Sequence, residues 1–186
     1  MHHAARASVL VLMFAGLSLA QQDDTGVGIV AVSGGGLFGQ GAHGSAGASF
    51  GVAASKYVVP FIDFSYSPLS SYAYTYGVNL LGKGLYTSSL LDLNGGLKFR
   101  FPNKSDWVPY IGVGAGLLRL SSSNYTSGFN TTSTINHSTD NPAGSVSAGA
   151  LYYVTKHVGF GMEAKGYASQ HNRFGRAQAG VFYQFP

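Results

Sequence analysis

The chain has no cysteine. That excludes a disulfide framework, a thiol nucleophile, a thiolate metal site and lipid attachment through an N-terminal cysteine. Charge is scarce as well: 10% of residues are Asp, Glu, Lys or Arg, against about 25% in an ordinary soluble domain. The formal net charge of +4 is scattered along the chain, so there is no basic footprint and no nucleic-acid partner is expected. Beyond the first twenty residues no apolar run approaches the roughly 20 residues of a spanning helix, which excludes a helical membrane protein. Glycine and aromatics are abundant, with 27 Gly, 12 Tyr and 12 Phe in 186 residues. That balance argues against disorder and against a helical bundle, and the length suits one domain.

Residues 1–20 have the form of a cleaved signal peptide. Arg6 follows His2 and His3, Ala7 to Leu17 is apolar, and Ser18-Leu19-Ala20 places small residues at the cleavage positions. The stretch is too short to serve as a spanning anchor. The expected division is therefore 1–20 leader and 21–186 mature domain, starting at Gln21.

Downstream, period two dominates. Leu91, Leu93, Leu97, Phe99 and Phe101 share one face of an extended segment, and Asp92, Asn94, Lys98 and Arg100 share the other. Eight such segments are predicted, near 26–36, 44–54, 57–67, 87–101, 107–120, 144–154, 157–167 and 175–185. Each meets the 9–11 residues that a tilted strand needs to cross a bilayer. The connections near 55–56, 102–106 and 155–156 are tight. Those at 37–43, 68–86, 121–143 and 168–174 read as longer loops. Short turns on one side and long loops on the other is the asymmetry of outer-membrane barrels. The expected fold is all-β: an eight-stranded antiparallel up-and-down transmembrane β-barrel, most simply a monomer.

In lipid the apolar face must point outward. This rule sends Asp63, Asp92, Lys98, Arg100, Glu163, Lys165 and Arg176 into the lumen, three acids meeting four bases. A barrel of eight strands is only wide enough to be filled by side chains, so an ionic and hydrogen-bonded plug is expected. Lys98 and Arg100 together suit an anion, although pairing with Asp92, Asp63 or Glu163 is the plainer reading, because buried charges need partners. Arg119 alone points outward, at a strand end from which its stem can snorkel. Inward Gly112, Gly114 and Gly116 either leave room for the longer charged side chains of other strands or ease the sharp coiling of the strands. Outward Phe101, Trp107 and Tyr152 at one rim, with Tyr66 at the other, are placed as an aromatic girdle.

Two stretches carry a family resemblance. Trp107-Val108-Pro109-Tyr110-Ile111-Gly112-Val113-Gly114-Ala115-Gly116 resembles the Pro-Tyr-x-Gly-x-Gly-x-Gly strand of the small OmpA-like outer-membrane barrels. Gln178, Gly180, Tyr183 and Phe185 resemble the terminal signal read by the outer-membrane assembly machinery, with Pro186 as a departure after the last Phe. The resemblance covers the mature chain and implies a bacterial outer-membrane location. It also implies contact with outer-membrane lipid and lipopolysaccharide, and with the assembly machinery. No peptidoglycan-binding domain is expected, so the anchoring role of two-domain members of the family is not carried over.

The remaining chemistry is thin. His137-Ser138-Thr139 is a poor match to the His-x-Ser pair of barrel-type lipid A deacylases, and nothing fixes a base and an orienting acid around a hydroxyl. His43, His137 and His171 with Asp140 do not have metal-ligand spacing. Gly34-Gly35-Gly36 lacks the helix and Lys of a phosphate loop, and the sequons at Asn124, Asn130 and Asn136 come cheaply in a Ser/Thr/Asn-rich stretch. No cofactor, metal or enzymatic activity is expected. The expected role is structural, with a surface ligand held by loops 68–86 and 121–143. The alternatives are a narrow low-conductance channel, then a lipid-modifying barrel enzyme or a soluble lipocalin-like carrier, the last of which would need an apolar interior.

Overall fold

Alternation of side-chain size along the chain becomes eight antiparallel strands: β1 (Gly28–Phe38), β2 (His43–Val52), β3 (Val58–Tyr76), β4 (Gly82–Arg100), β5 (Trp107–Gly128), β6 (Thr131–Tyr153), β7 (Val158–Ser169) and β8 (Arg173–Phe185). The computed structural model describes residues 26–39, 41–76, 82–128, 131–169 and 173–185. The leader at 1–20, the start at Gln21, His171, Asn130 and Pro186 lie outside the described residues. Each strand pairs with the next, and β8 returns to β1 with Gly28 opposite Phe185, so the sheet closes on itself. Closure leaves no sheet edge facing lipid within the ring.

The turn end of the barrel is built by local polar chemistry. Ser55 Oγ accepts the Val58 N–H at 3.1 Å, Asn103 Oδ1 accepts Ser105 N–H at 2.8 Å, and Thr155 Oγ1 accepts Val158 N–H at 3.0 Å. Such side-chain acceptors substitute for a ladder partner and reverse the chain in a few residues. At the opposite end, β1 and β2 are joined by residues 39–42, where Gly39 and Gly41 take φ of 108° and 97°, a region that L side chains rarely adopt.

The expected loops at 68–86 and 121–143 are a correction. β3 and β4 pair out to Tyr76 and Gly82, and β5 and β6 pair out to Gly128 and Thr131. The connections at 37–43 and 168–174 shorten too, because the strands reach Phe38, His43, Ser169 and Arg173. The reason is that the two faces of the outer hairpins are both wet. No apolar alternation is imposed there, while the Tyr- and Thr-rich backbone still gains its ladder of hydrogen bonds. β5 and β6 are 22 and 23 residues long against 11 and 10 for β1 and β2. At about 3.3 Å per residue, the central four strands project beyond the ring as one sheet.

The sidedness is inside-out. Val32, Leu93, Leu117, Val146 and Phe160 are 60%, 48%, 52%, 65% and 56% exposed on the outer wall, whereas Asp63, Asp92 and Lys165 are each 3% exposed inside. A soluble carrier barrel would show the reverse.

Candidate functional site

Parity carries the charged side chains into the lumen, and non-adjacent strands of the ring bring them together across it. Lys165 Nζ on β7 lies 2.6 Å from Asp63 Oδ2 on β3. Arg176 on β8 lies 3.5 Å from Asp92 Oδ2 on β4 and also donates to Ser65 Oγ. The Tyr167 hydroxyl donates to the same Asp92 oxygen at 2.5 Å. Lys98 Nζ lies 2.9 Å from Glu163 Oε2, which also accepts from the Tyr110 hydroxyl at 2.9 Å, and Gln178 Nε2 donates to Glu163 Oε1 at 3.1 Å. Lys98 also sits over the rings of Phe61 and Tyr110, 4.7 and 5.2 Å from their centroids, where the ring faces attract a cation.

Arg100 departs from the pairing expected of it. Among the described residues no carboxylate lies within salt-bridge reach. Its guanidinium donates instead to the Ser55 carbonyl at 3.3 Å and, weakly, to the Tyr153 hydroxyl at 3.5 Å. It sits two residues below Lys98, at the turn end of β4, where the partners on offer are Tyr153 and backbone.

The plug is also less ionic than its charges imply. Leu37, Leu90, Leu118, Ala143, Tyr167 and Phe174 form an apolar cluster inside the barrel at the hairpin end, with the Tyr167 and Phe174 rings stacked at 4.6 Å. Val59, Phe61 and Phe182 are buried at the turn end. The lumen thus has an apolar layer at the hairpin end and, toward the turn end, apolar side chains interleaved with the charged ones, with Val59 opposite Lys98. The outward rule for apolar residues hid this. The signal was present as parity, because Leu90 lies two residues from Asp92, and Phe174 two from Arg176, on the same face.

The inward glycines differ in what stands over them, and in none of them is the nearest neighbour a charged side chain. A Cβ on Gly112 would meet Ser147 Oγ, with Lys98 Cγ at 3.5 Å, and one on Gly114 would meet Asn94 Oδ1, with Ser145 Oγ at 3.0 Å. These two make room for lumen side chains. A Cβ on Gly116 would run into the backbone carbonyl of Leu93, so that glycine serves the close approach of two strands.

On the outer wall, Arg119 does not snorkel alone. The register places it directly opposite Asp140, to which it makes a two-pronged bond: Nε to Oδ1 at 2.7 Å and Nη2 to Oδ2 at 2.8 Å. Those bonds hold the Asp140 carboxyl below the usual carboxylate range. The pair lies at the hairpin end, just beyond Leu117. Tyr66, Phe101 and Trp107 are 46%, 51% and 44% exposed, and Trp107 packs on Tyr152 with ring centroids 4.9 Å apart. Gln178 points into the lumen, and a Cβ on Gly180 would strike the Val32 carbonyl. Phe185 stacks between Phe50 and Tyr183 at 6.4 Å from each.

The histidine and acid candidates are separated. His137 and Asp140 stand on opposite faces of β6, and His137 Nε2 lies 3.1 Å from Thr139 Oγ1. Asp140 is engaged by Arg119, so it does not orient that histidine.

The projecting sheet has an aromatic concave face. Ser67 lies opposite Leu90 and Ser70 opposite Ser88, so a bulge at Pro68/Ser70 moves the lumen-side parity of β3 from odd to even residues. It puts Tyr72 and Tyr74 on that side, with Tyr72 packed on Tyr86 at 5.1 Å and the Tyr74 hydroxyl donating to Asn124 Oδ1 at 2.7 Å.

No family model matches the chain, and no curated protein matches it in sequence. Solved structures do match in shape. Neisserial surface protein A (NspA) aligns over 86% of this chain and 96% of its own, at 15% identity and a TM-score of 0.57. A major outer membrane protein from Thermus thermophilus aligns over 86% and 99%, at 10% identity and a TM-score of 0.61. Ail, the attachment invasion locus protein of Yersinia pestis, aligns over 87% and 99%, at 13% identity and a TM-score of 0.51. Closed ring, inside-out sidedness and these likenesses agree: the chain has the fold of the small eight-stranded outer-membrane β-barrels.

Proposed function

We propose that the chain is a bacterial outer-membrane barrel, exported by its leader and inserted through the signal on β8. Its role there is structural and adhesive, without catalysis. One observation carries this reading: β3 to β6 continue past the apolar wall as a four-stranded sheet. Among the described residues β7 begins to pair with β6 only at Ala143, so residues 132–141 form an edge with no described strand on one side. That edge has no Lys, Arg or Pro before Pro142, the residues that usually guard an edge against pairing. The β3 edge, by contrast, carries Pro68 and the bulge. A partner that adds a strand to β6 gains main-chain hydrogen bonds. The Tyr72, Tyr74 and Tyr86 face adds large contact area at low entropic cost. Among proteins of the same fold are a surface protein and an attachment invasion locus protein, which fits this role.

The channel reading has less support, because an apolar cluster and an ion-paired layer both stand in the lumen. The experiment uses the absence of native cysteine. On intact cells a membrane-impermeant maleimide is expected to label Thr134→Cys but not Ser105→Cys, which becomes reactive only after lysis. The protein should leave the membrane fraction only with detergent. Release by salt or carbonate, or equal labelling of both cysteines on intact cells, overturns the assignment. Adhesion is read separately, as binding of whole cells to host-cell or bacterial surfaces with and without residues 71–87 and 123–138. Equal binding sinks the surface role.

A further inference from the structure

Among the described residues the lumen holds four cations, Lys98, Arg100, Lys165 and Arg176, and three carboxylates, Asp63, Asp92 and Glu163. Three ion pairs use every carboxylate, and the positive charge left over belongs to Arg100. A charge held away from bulk water needs a counter-charge or strong hydrogen bonds. Arg100 has two long contacts to neutral oxygens, at 3.3 and 3.5 Å, and its buried Nε has no acceptor among the described residues. The Arg176 Nε also lacks one, but Asp92 meets the charge of that side chain.

Arg100 lines a cavity of ≈ 80 Å³ in the turn-end half of the lumen, shared with Lys98, Tyr110, Ser49 and Gln178. That is room for several waters or one small ion with part of its shell, and too little for a lipid headgroup. Glu163 also lines it, but its oxygens are already committed to Lys98, Tyr110 and Gln178. The second donor is Lys98, whose ammonium is held by Phe61, Tyr110 and Glu163 and has a side chain 17% exposed.

From this geometry we infer that the turn-end lumen is a binding site for a small monovalent anion of halide size, held by Arg100 with Lys98 as the second cation. The anion neutralises the lumen charge that the described residues leave without a carboxylate. The site is a property of the folded barrel and does not depend on the role of the projecting sheet.

Bromide is the probe. Crystals of the full chain in detergent, grown or soaked with bromide, are expected to show an anomalous peak within hydrogen-bond distance of Arg100. In solution, chloride-35 line broadening should be displaced by bromide. The Arg100→Gln variant should lose both signals, with folding checked by the heat-dependent gel shift of the barrel. Arg100→Lys, which keeps the charge, should retain the peak and bind at least several-fold tighter than Arg100→Gln. Bromide at surface lysines only, or a lumen peak unchanged in Arg100→Gln, overturns the site. If Arg100→Gln does not fold, a lumen peak in the wild type that is lost in folded Arg100→Lys overturns the claim that charge holds the ion.

Discussion

Lys165 and Asp63 keep 1% and 4% of their side-chain surface exposed and meet at 2.6 Å. Removing one partner of such a pair leaves the other as an uncompensated buried charge, which costs about 3–5 kcal/mol. Asp63→Asn is therefore expected to lower the urea midpoint of the barrel in vesicles, by about that free energy. Asp63→Leu combined with Lys165→Met should recover most of the loss, because an apolar pair of similar volume needs no partner. A single variant as stable as the wild type contradicts the burial argument. At this scale the sequence was legible where parity decides the outcome. Asp92 and Lys98 had to share a face because they are six residues apart on one strand. It was silent where register decides. Arg119 meets Asp140 only because β5 and β6 stay paired through a stretch without apolar alternation, and none of the described carboxylates reaches Arg100 because of what the other strands bring to its level.

Strands were readable while one side was greasy and the other polar. Leu93 and Leu97 against Asp92 and Lys98 mark β4 plainly, whereas Thr132 to Thr139 mark nothing, because both faces of that part of β6 meet water. The strand continues there on backbone bonding and on the β-preference of Thr, Tyr and Ile. Glycines show how the elements are fitted to one another. A Cβ on Gly116 would enter the Leu93 carbonyl of the neighbouring strand, while one on Gly144 meets nothing within 4 Å. Gly116→Ala should cost about 1–3 kcal/mol, as overpacking does. Gly144→Ala should be neutral or gain up to about 1 kcal/mol, from a smaller loss of chain entropy. Unfolding midpoints of the two variants, measured side by side, test whether strand approach or intrinsic flexibility governs these positions. Equal effects would favour flexibility.

At the scale of the whole molecule, the inside-out arrangement and the narrow ring act together. Eight strands leave a lumen that side chains fill, and this chain fills it in layers of different chemistry. An ion must therefore pass a charged layer and an apolar one, and the two fail for different reasons. Breaking the Lys98–Glu163 pair by Glu163→Ala loosens the ionic layer but leaves Leu37, Leu90, Leu118 and Phe174 closing the hairpin end. Widening that end by Leu118→Ser with Phe174→Ala leaves Lys165–Asp63 and Arg176–Asp92 across the lumen. Purified wild-type barrel in a planar bilayer is expected to stay closed, and each of these variants to show at most brief, small openings. The triple variant should show larger and longer openings than either, still narrowed by Lys165–Asp63 and Arg176–Asp92, with the unpaired cations of the lumen favouring anions in the reversal potential. Steady current through the wild type would mean that the layers rearrange together and that transport, rather than the projecting sheet, is the work of the fold.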